Sequence, residues 1–128
     1  MTLDLDSLTA ISPLDGRYRA RTGRLAEFAS EYGLMHYRVR VEVEWFLHLC
    51  SEPGIAAPEL DDITIDACRS IWHDFSVHEA RKIRAIEQQT NHDVKAVEYF
   101  VKNALSDIGL SEHCLLYTSD AADELLGV

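Results

Sequence analysis

The sequence predicts an all-α fold of about five helices in a single domain, residues 1–113. Apolar residues recur at the spacing of three and four that buries one face of a helix. Helix-start and helix-stop residues separate these segments. The longest segment without a turn residue is too long for an ordinary strand. A chain of 128 residues has room for one domain with a modest core.

The amino-terminal region is predicted to be a polar arm followed by a turn at residues 12–18. In this turn a proline fixes φ, and an Asp-Gly pair permits a tight reversal of the chain. Such a turn can hold the side chains of Arg17 and Tyr18 in a defined direction. A short helix is predicted next, over residues 22–29.

Residues 30–51 are predicted to form a helix, although part of this segment has the pattern of a strand. Residues 37–45 alternate apolar and polar, which is the period of a half-buried strand. The segment is nevertheless too long for a strand. Two oppositely charged pairs also lie four residues apart, as helix neighbours do: Arg38 with Glu42, and Arg40 with Glu44. We expect these charges to form a solvated or inter-subunit face rather than a site.

Two further helices are predicted after a loop at residues 52–60. The first begins at Asp61-Asp62, where acidic groups suit the positive end of the helix dipole. Its predicted buried stripe is Ile63, Ala67, Ile71 and Phe75. The second covers residues 76–89, and its predicted inner side is Val77, Ala80, Ile83 and Ile86 or Glu87.

The last helix is predicted to begin at a group of polar residues, Thr90-Asn91-His92-Asp93. Its predicted buried face is Val94, Val97, Val101, Ala104, Leu105 and Ile108. Thr90 and Asp93 have the spacing of a capping box, in which each side chain satisfies a free backbone N–H. A helix N-terminus also attracts anions, so His92, Asp93 and Lys95 would lie close to an anion-attracting place. The simpler interpretation is that Thr90 and Asn91 only cap the helix and that His92 is an ordinary surface residue.

The composition narrows the range of functions. The net charge is −10, with 22 acidic and 12 basic residues, which argues against non-specific binding to nucleic acid or to anionic membranes. No apolar run is long enough to span a bilayer and no signal-peptide core is visible, so we expect a cytoplasmic protein. We predict neither a metal ion nor another cofactor. Metal-ligand spacing is absent among Cys50, Cys68, Cys114, His48, His73 and His78.

Two segments of the chain resemble one enzyme family. Residues 86–100, which contain Thr90-Asn91-His92-Asp93-Val94-Lys95-Ala96, resemble the signature of the adenylosuccinate lyase family, within the fumarase/aspartase superfamily. Residues 8–18, which contain Asp15-Gly16-Arg17-Tyr18, resemble the opening of the same enzymes. The two matches have the family's order and spacing, and the resemblance extends from about Leu8 to about His113.

The resemblance implies both a fold and an activity. The fold is the N-terminal helical domain of the superfamily, truncated before the central helical bundle. The activity is that of a carbon–nitrogen lyase of purine biosynthesis, which eliminates fumarate from adenylosuccinate and from the succinylcarboxamide imidazole nucleotide, SAICAR. Full-length members are homotetramers whose active sites combine several subunits.

The resemblance also implies which residues bind the substrate. They are Arg17 and Tyr18, at the phosphate end of the nucleotide, and Asn91, His92 and Asp93, with Lys95 as a further candidate. The family's acid histidine and base serine lie beyond this chain, so no catalytic residue is assigned within it. We expect the fragment to be inactive alone and to expose apolar surface.

Residues 114–128 do not resemble the lyase continuation. From Cys114 onward they resemble a translated sequencing-library adapter. We therefore expect an artefactual tail on a truncated gene product.

Two other interpretations remain open. Another superfamily lyase, of the argininosuccinate or fumarate type, would share the fold, although both family-like segments speak against it. A non-catalytic helical interaction module would explain the amphipathic helices and the acidic surface equally well. It would not explain the polar group at Thr90-Asn91-His92-Asp93.

Overall fold

A computed structural model describes residues 2–110, and this part of the chain contains helices and loops but no β-strand. The predicted all-α class is therefore confirmed. The helices are α1 (Arg19–Thr22), a 3-10 turn (Gly23–Leu25), α2 (Ala26–Ala29), α3 (Glu31–Ser51), α4 (Asp62–His73), α5 (Val77–Thr90) and α6 (Asp93–Asp107). The predicted tail at residues 114–128 lies outside the described residues.

The chain forms two compact units, one ending at Leu34 and the other beginning at Met35. In the first unit the short helix predicted for residues 22–29 is divided into α1, the 3-10 turn and α2. Helix α2 ends before Ser30, whose backbone is extended. The Ser30 hydroxyl then accepts a hydrogen bond from the Gly33 N–H over 3.1 Å, so it caps the start of α3.

The first unit exposes much of its apolar surface. Leu5, Leu8 and Ile11 are almost completely exposed, and Leu25 and Phe28 are also exposed. The expectation that the fragment exposes apolar side chains is confirmed for this unit. No helix among residues 2–110 is long and apolar enough to cross a membrane.

The segment with the strand-like alternation is a helix, α3, as predicted from its length. Val39 and Val43 are completely buried, whereas Val41 between them is 65% exposed. A strand would have placed all three valines on one face, since its side chains alternate with a period of two. The buried positions follow the helical period instead, and they are Met35, Val39, Val43, Phe46 and Leu47.

The charged residues of α3 take part in packing between helices, which the sequence did not predict. The Glu44 carboxylate accepts hydrogen bonds from Arg69 Nε over 3.1 Å and from Trp72 Nε1 over 3.0 Å. The Arg40 guanidinium lies 4.6 Å from the centre of the Trp72 ring. These contacts fix α4 against α3 and lower the pKa of Glu44, chiefly because Arg69 donates to its carboxylate.

The predicted inner faces of α4 and α5 are partly wrong. Ile63 is 80% exposed, whereas Cys68 is completely buried. Five residues correspond to a rotation of about 140° around a helix, so Ile63 cannot share the face on which Cys68 lies. Burial and the nearby Cys50 raise the pKa of the Cys68 thiol to about 11. In α5, Val77 is exposed, but Ala80 and Ile83 are buried as predicted.

Helix α6 packs extensively against α5 and carries much of the core of the second unit. Val97, Val101 and Leu105 are buried as predicted, but Val94 and Ile108, at the two ends of the predicted face, are partly exposed. Phe100 meets Phe75 edge-to-face, with 5.8 Å between the ring centres.

A buried ion pair interrupts the apolar face of α6. Lys95 is 2% exposed and Glu98 is 4% exposed, and Lys95 Nζ lies 2.9 Å from Glu98 Oε2. This oxygen accepts no hydrogen bond of good geometry from the described residues, so the contact is an electrostatic one. Glu42 of α3 lies close enough to Glu98 for the two carboxylates to repel. The Lys95 ammonium therefore compensates a buried negative charge.

We expect Lys95→Met to destabilise the second unit by about 3 kcal/mol, because it leaves the buried Glu98 carboxylate without a cation. The double substitution Lys95→Met with Glu98→Leu should recover most of this loss, since both charged members of the buried pair are then replaced by apolar residues. The measurement is the urea midpoint of the helical circular dichroism signal. Lys82→Ala, which breaks a surface contact with Glu79, is the control and should have little effect. A double variant that is no more stable than Lys95→Met would contradict this account.

Candidate functional site

The predicted site residues lie in both units of the chain. Arg17 and Tyr18 belong to the unit that ends at Leu34, and Asn91, His92 and Asp93 belong to the unit that begins at Met35.

The loop that carries Arg17 is held by backbone hydrogen bonds, as the Pro and Asp-Gly pattern predicted. The Ser12 carbonyl accepts from the N–H groups of Asp15 and Gly16, and the Pro13 carbonyl accepts from Tyr18 N–H over 3.0 Å. Gly16 is buried, and a Cβ at this position would lie only 2.3 Å from the Ser7 carbonyl oxygen. Glycine is therefore required by the close approach of two backbone segments.

Arg17 is presented to solvent by this loop. It is exposed, as is Tyr18, and its guanidinium makes no ion pair with another residue in the described range. The neighbouring Arg19, by contrast, is paired with Asp15. An exposed guanidinium without a carboxylate partner can donate to a phosphate or carboxylate of a ligand.

The second group of residues lies at the junction between α5 and α6. Asn91 adopts a left-handed conformation, with φ 52° and ψ 26°, and its N–H donates to the Glu87 carbonyl over 2.8 Å. Asparagine tolerates this conformation better than most residues do. It ends α5, and α6 begins two residues later.

The predicted capping box at Thr90 and Asp93 is wrong. Thr90 is the last residue of α5, and the residue that caps α6 is His92. The Thr90 hydroxyl accepts from His92 N–H over 3.4 Å, so it supports the junction from the other side. A true capping box occurs at the start of α5, between Ser76 and Glu79. An asparagine after a helical segment was the signal that could have placed the boundary at Asn91.

The orientation of His92 follows from its role as the cap of α6. Its Nδ1 accepts a hydrogen bond from Lys95 N–H over 3.2 Å. Because Nδ1 accepts, the neutral ring carries its proton on Nε2. The side chain is 28% exposed. His92 can therefore offer an N–H donor from Nε2 at the start of α6.

Both carboxylate oxygens of Asp93 accept a hydrogen bond. Its Oδ2 accepts from Arg38 over 2.8 Å, and its Oδ1 accepts from Val94 N–H over 2.9 Å. The Arg38 hydrogen bond is the largest cause that lowers the pKa of Asp93 below its ordinary value. Asp93 therefore stays ionised and directed toward α3.

Lys95 occupies a different environment from the other predicted site residues. Its ammonium is buried with Glu98 and lies 5.7 Å from the centre of the Tyr99 ring. Its backbone N–H, rather than its ammonium, is what reaches His92. In the described part of the chain, no group of three or more His, Cys, Asp and Glu residues could hold a metal ion.

Comparison with known proteins gives a consistent group of relatives. The chain is 45% identical over 107 residues to the adenylosuccinate lyase of Dictyostelium discoideum, a match covering 80% of this chain and 22% of the relative. It is 44% identical over 107 residues to the adenylosuccinate lyase of Escherichia coli strain K12, covering 83% and 24%. It is 39% identical over 116 residues to the adenylosuccinate lyase of Legionella pneumophila strain Corby, covering 90% and 25%.

The chain spans about a quarter of the length of the curated relatives it matches. No family model matches it. The resemblance predicted from the sequence motifs is confirmed by these relatives, which match most of the chain.

The left-handed conformation of Asn91 predicts an unusual ranking of substitutions. Asn91→Gly should be close to neutral for stability, whereas Asn91→Ala should cost about 1 kcal/mol because its Cβ is crowded there. The urea midpoint of the helical signal measures both effects. Gln89→Ala, on the exposed surface of α5, is the matched control. If Asn91→Ala is as stable as Asn91→Gly, the junction does not need the left-handed conformation.

The environment of Glu42 predicts a pH dependence. Burial, with a contribution from the Glu98 charge, raises the pKa of Glu42 above its ordinary value of 4.5. The folded state thus binds this proton more tightly than the unfolded state does. Because the unfolded state loses the proton first, the free energy of unfolding declines as pH rises above 4.5. Glu42→Gln should have a higher urea midpoint than the parent at pH 7 and a similar one at pH 4. An equal gain at both pH values would exclude ionisation as the cause.

Proposed function

We propose that this chain is the amino-terminal part of an adenylosuccinate lyase and that it supplies part of the substrate-binding surface of that enzyme. The junction between α5 and α6 carries this proposal, because His92 offers its Nε2–H there beside the start of a helix. The relatives that share this sequence are named adenylosuccinate lyases. This name favours adenylosuccinate lyase over the argininosuccinate- and fumarate-type enzymes.

The proposed reaction is the elimination of fumarate from a purine nucleotide, either adenylosuccinate or SAICAR. A proton leaves the carbon next to a carboxylate while the nitrogen of the nucleotide departs. The step needs a general base, a general acid for the leaving nitrogen, and donors that stabilise the negative charge that develops. Both substrates carry a phosphate and two carboxylates, so the enzyme needs anion-binding groups even though this chain is acidic.

Arg17 and Tyr18 are proposed to bind the phosphate end of the nucleotide. The Arg17 guanidinium is exposed and is held on a loop with a defined backbone, so little of its binding energy is lost in ordering the loop. The exposed Tyr18 hydroxyl is proposed to supply a further donor.

Asn91 and His92 are proposed to contact the succinyl or purine part of the substrate. Asp93, whose two carboxylate oxygens are held by Arg38 and by Val94 N–H, is proposed to support the site rather than to touch the substrate. His92 would donate from Nε2, because Nδ1 is engaged with the backbone of α6. The general acid and general base are proposed to come from the part of the relatives' length that this chain does not cover. The buried ammonium of Lys95, which lies 2.9 Å from Glu98 Oε2, is proposed to serve packing rather than substrate contact.

The complete enzyme is proposed to be a cytoplasmic homotetramer whose sites combine residues of several subunits. The net charge of −10 supports a protein that does not bind nucleic acid. Under this proposal the 128-residue chain is inactive by itself, and measurable release of fumarate by the purified chain would contradict that part.

The proposal is tested by grafting residues 2–110 in place of the matching segment of the E. coli strain K12 relative. We expect the chimera to release fumarate from adenylosuccinate. Arg17→Ala and His92→Ala should each lower kcat/KM by about 10- to 100-fold, the range expected when a hydrogen bond to a charged group is lost.

Matched controls separate a binding role from a general loss of charge or folding. Arg24→Ala removes another exposed arginine of the first unit, and His78→Ala removes an exposed histidine near the start of α5. Both controls should keep the activity of the chimera. An assembled chimera without activity, or one that tolerates Arg17→Ala and His92→Ala, would overturn the proposal.

A further inference from the structure

A side chain of α3 reaches the junction between α5 and α6. Arg38 donates from NH1 to Asp93 Oδ2 over 2.8 Å, although the two residues are 55 positions apart in the chain. The backbone of Arg38 is well anchored, because the adjacent Val39 is completely buried. The sequence pattern paired Arg38 with Glu42 and gave no sign of this contact.

We propose that Arg38 is a positioning residue of the candidate site: it holds Asp93 in place and cancels its charge, so that a negatively charged substrate group can approach Asn91 and His92. This inference rests on the proposed function, since it assumes that an anionic nucleotide binds at the junction. It assigns a role to a residue that neither the motif nor the family resemblance had singled out.

The first reason is electrostatic. The Asp93 side chain is 54% exposed and follows His92 directly, with Oδ1 4.0 Å from His92 Nδ1. An uncompensated carboxylate at this place would repel the phosphate and carboxylates of the substrate. The Arg38 guanidinium, itself only 31% exposed, supplies the compensating positive charge.

The second reason is geometric. The two oxygens of Asp93 are held in different directions, Oδ2 by Arg38 and Oδ1 by Val94 N–H. Without Arg38 the carboxylate can turn and pair with a protonated Nδ1 of His92. A protonated Nδ1 cannot accept from Lys95 N–H, so the cap of α6 would be lost together with the orientation of Nε2. Arg38 therefore preserves the ring orientation on which the proposed contact depends.

The test uses the active chimera and three variants: Arg38→Met, Arg38→Lys, and Arg38→Met combined with Asp93→Asn. Arg38→Met should raise KM for adenylosuccinate by about tenfold, as expected for one uncompensated charge near a bound anion, while kcat changes much less. Arg38→Lys keeps the positive charge and should retain most of the affinity. The double variant should recover most of the lost affinity, because the charge to be compensated has also been removed.

Arg81→Met is the control, since it removes an exposed cation on α5 and changes the net charge equally. It should leave KM unchanged. An unchanged KM in assembled Arg38→Met, or a double variant as weak as the single one, would overturn the role of Arg38. If Arg38→Met fails to assemble, Arg38→Gln replaces it with the same expectations: a tenfold higher KM supports the role, and an unchanged KM overturns it.

The outcomes also separate this inference from the proposed function. A parent chimera that is active and sensitive to Arg17→Ala and His92→Ala, but whose KM is unaffected by Arg38→Met, would leave the lyase function standing and remove only the role of Arg38. An inactive, assembled parent chimera would remove both.

Discussion

The reversal of the chain at Asn91 is the constraint on which the candidate site depends. It joins two long helices through two residues, because asparagine can adopt the left-handed conformation that ends α5. His92 is then the residue that must cap α6, and the hydrogen bond from Lys95 N–H determines which ring nitrogen faces outward. If the chain reversed one residue earlier or later, a neighbouring residue would cap α6 and the imidazole of His92 would lie on a different side of the helix.

The first turns of α6 carry one ion-paired carboxylate near the surface and one buried ion pair. Asp93 faces α3 near the surface and pairs with Arg38, whereas Lys95 and Glu98 face the interior. A buried pair contributes little net stability, because desolvation offsets attraction, but separating the partners is costly. Rotation of α6 about its axis would expose one pair and break the other. The position of His92 is therefore held by charge as well as by apolar packing.

Sequence reasoning found the helices and the residues of the junction, but not how charged groups are used between helices. Helical spacing identified Val97, Val101 and Leu105 because these lie mid-helix, where a neighbour covers them. It failed for Val94 and Ile108, which lie near the ends of α6, since spacing does not say where a neighbouring helix stops. Lys95 was predicted as a further candidate for substrate binding, and its burial beside Glu98 became apparent only in the structure.

The same limit explains the errors in capping and in ion pairing. Thr90 matched a capping pattern, but the pattern could not show that α5 continues through that residue. Arg38 had a plausible neighbour four positions away, and only the packing of α3 against α6 brings it to Asp93. Long-range partners of this kind are set by tertiary structure, which local periodicity does not encode.

The burial of Cys68 has a practical consequence. Its sulfur is completely shielded, and its thiol has a pKa of about 11, so thiolate is scarce at neutral pH while α4 stays packed. A thiol-reactive dye can reach this sulfur only when the helices separate. The rate at which the Cys68 thiol is labelled therefore measures how often the core of the second unit opens locally.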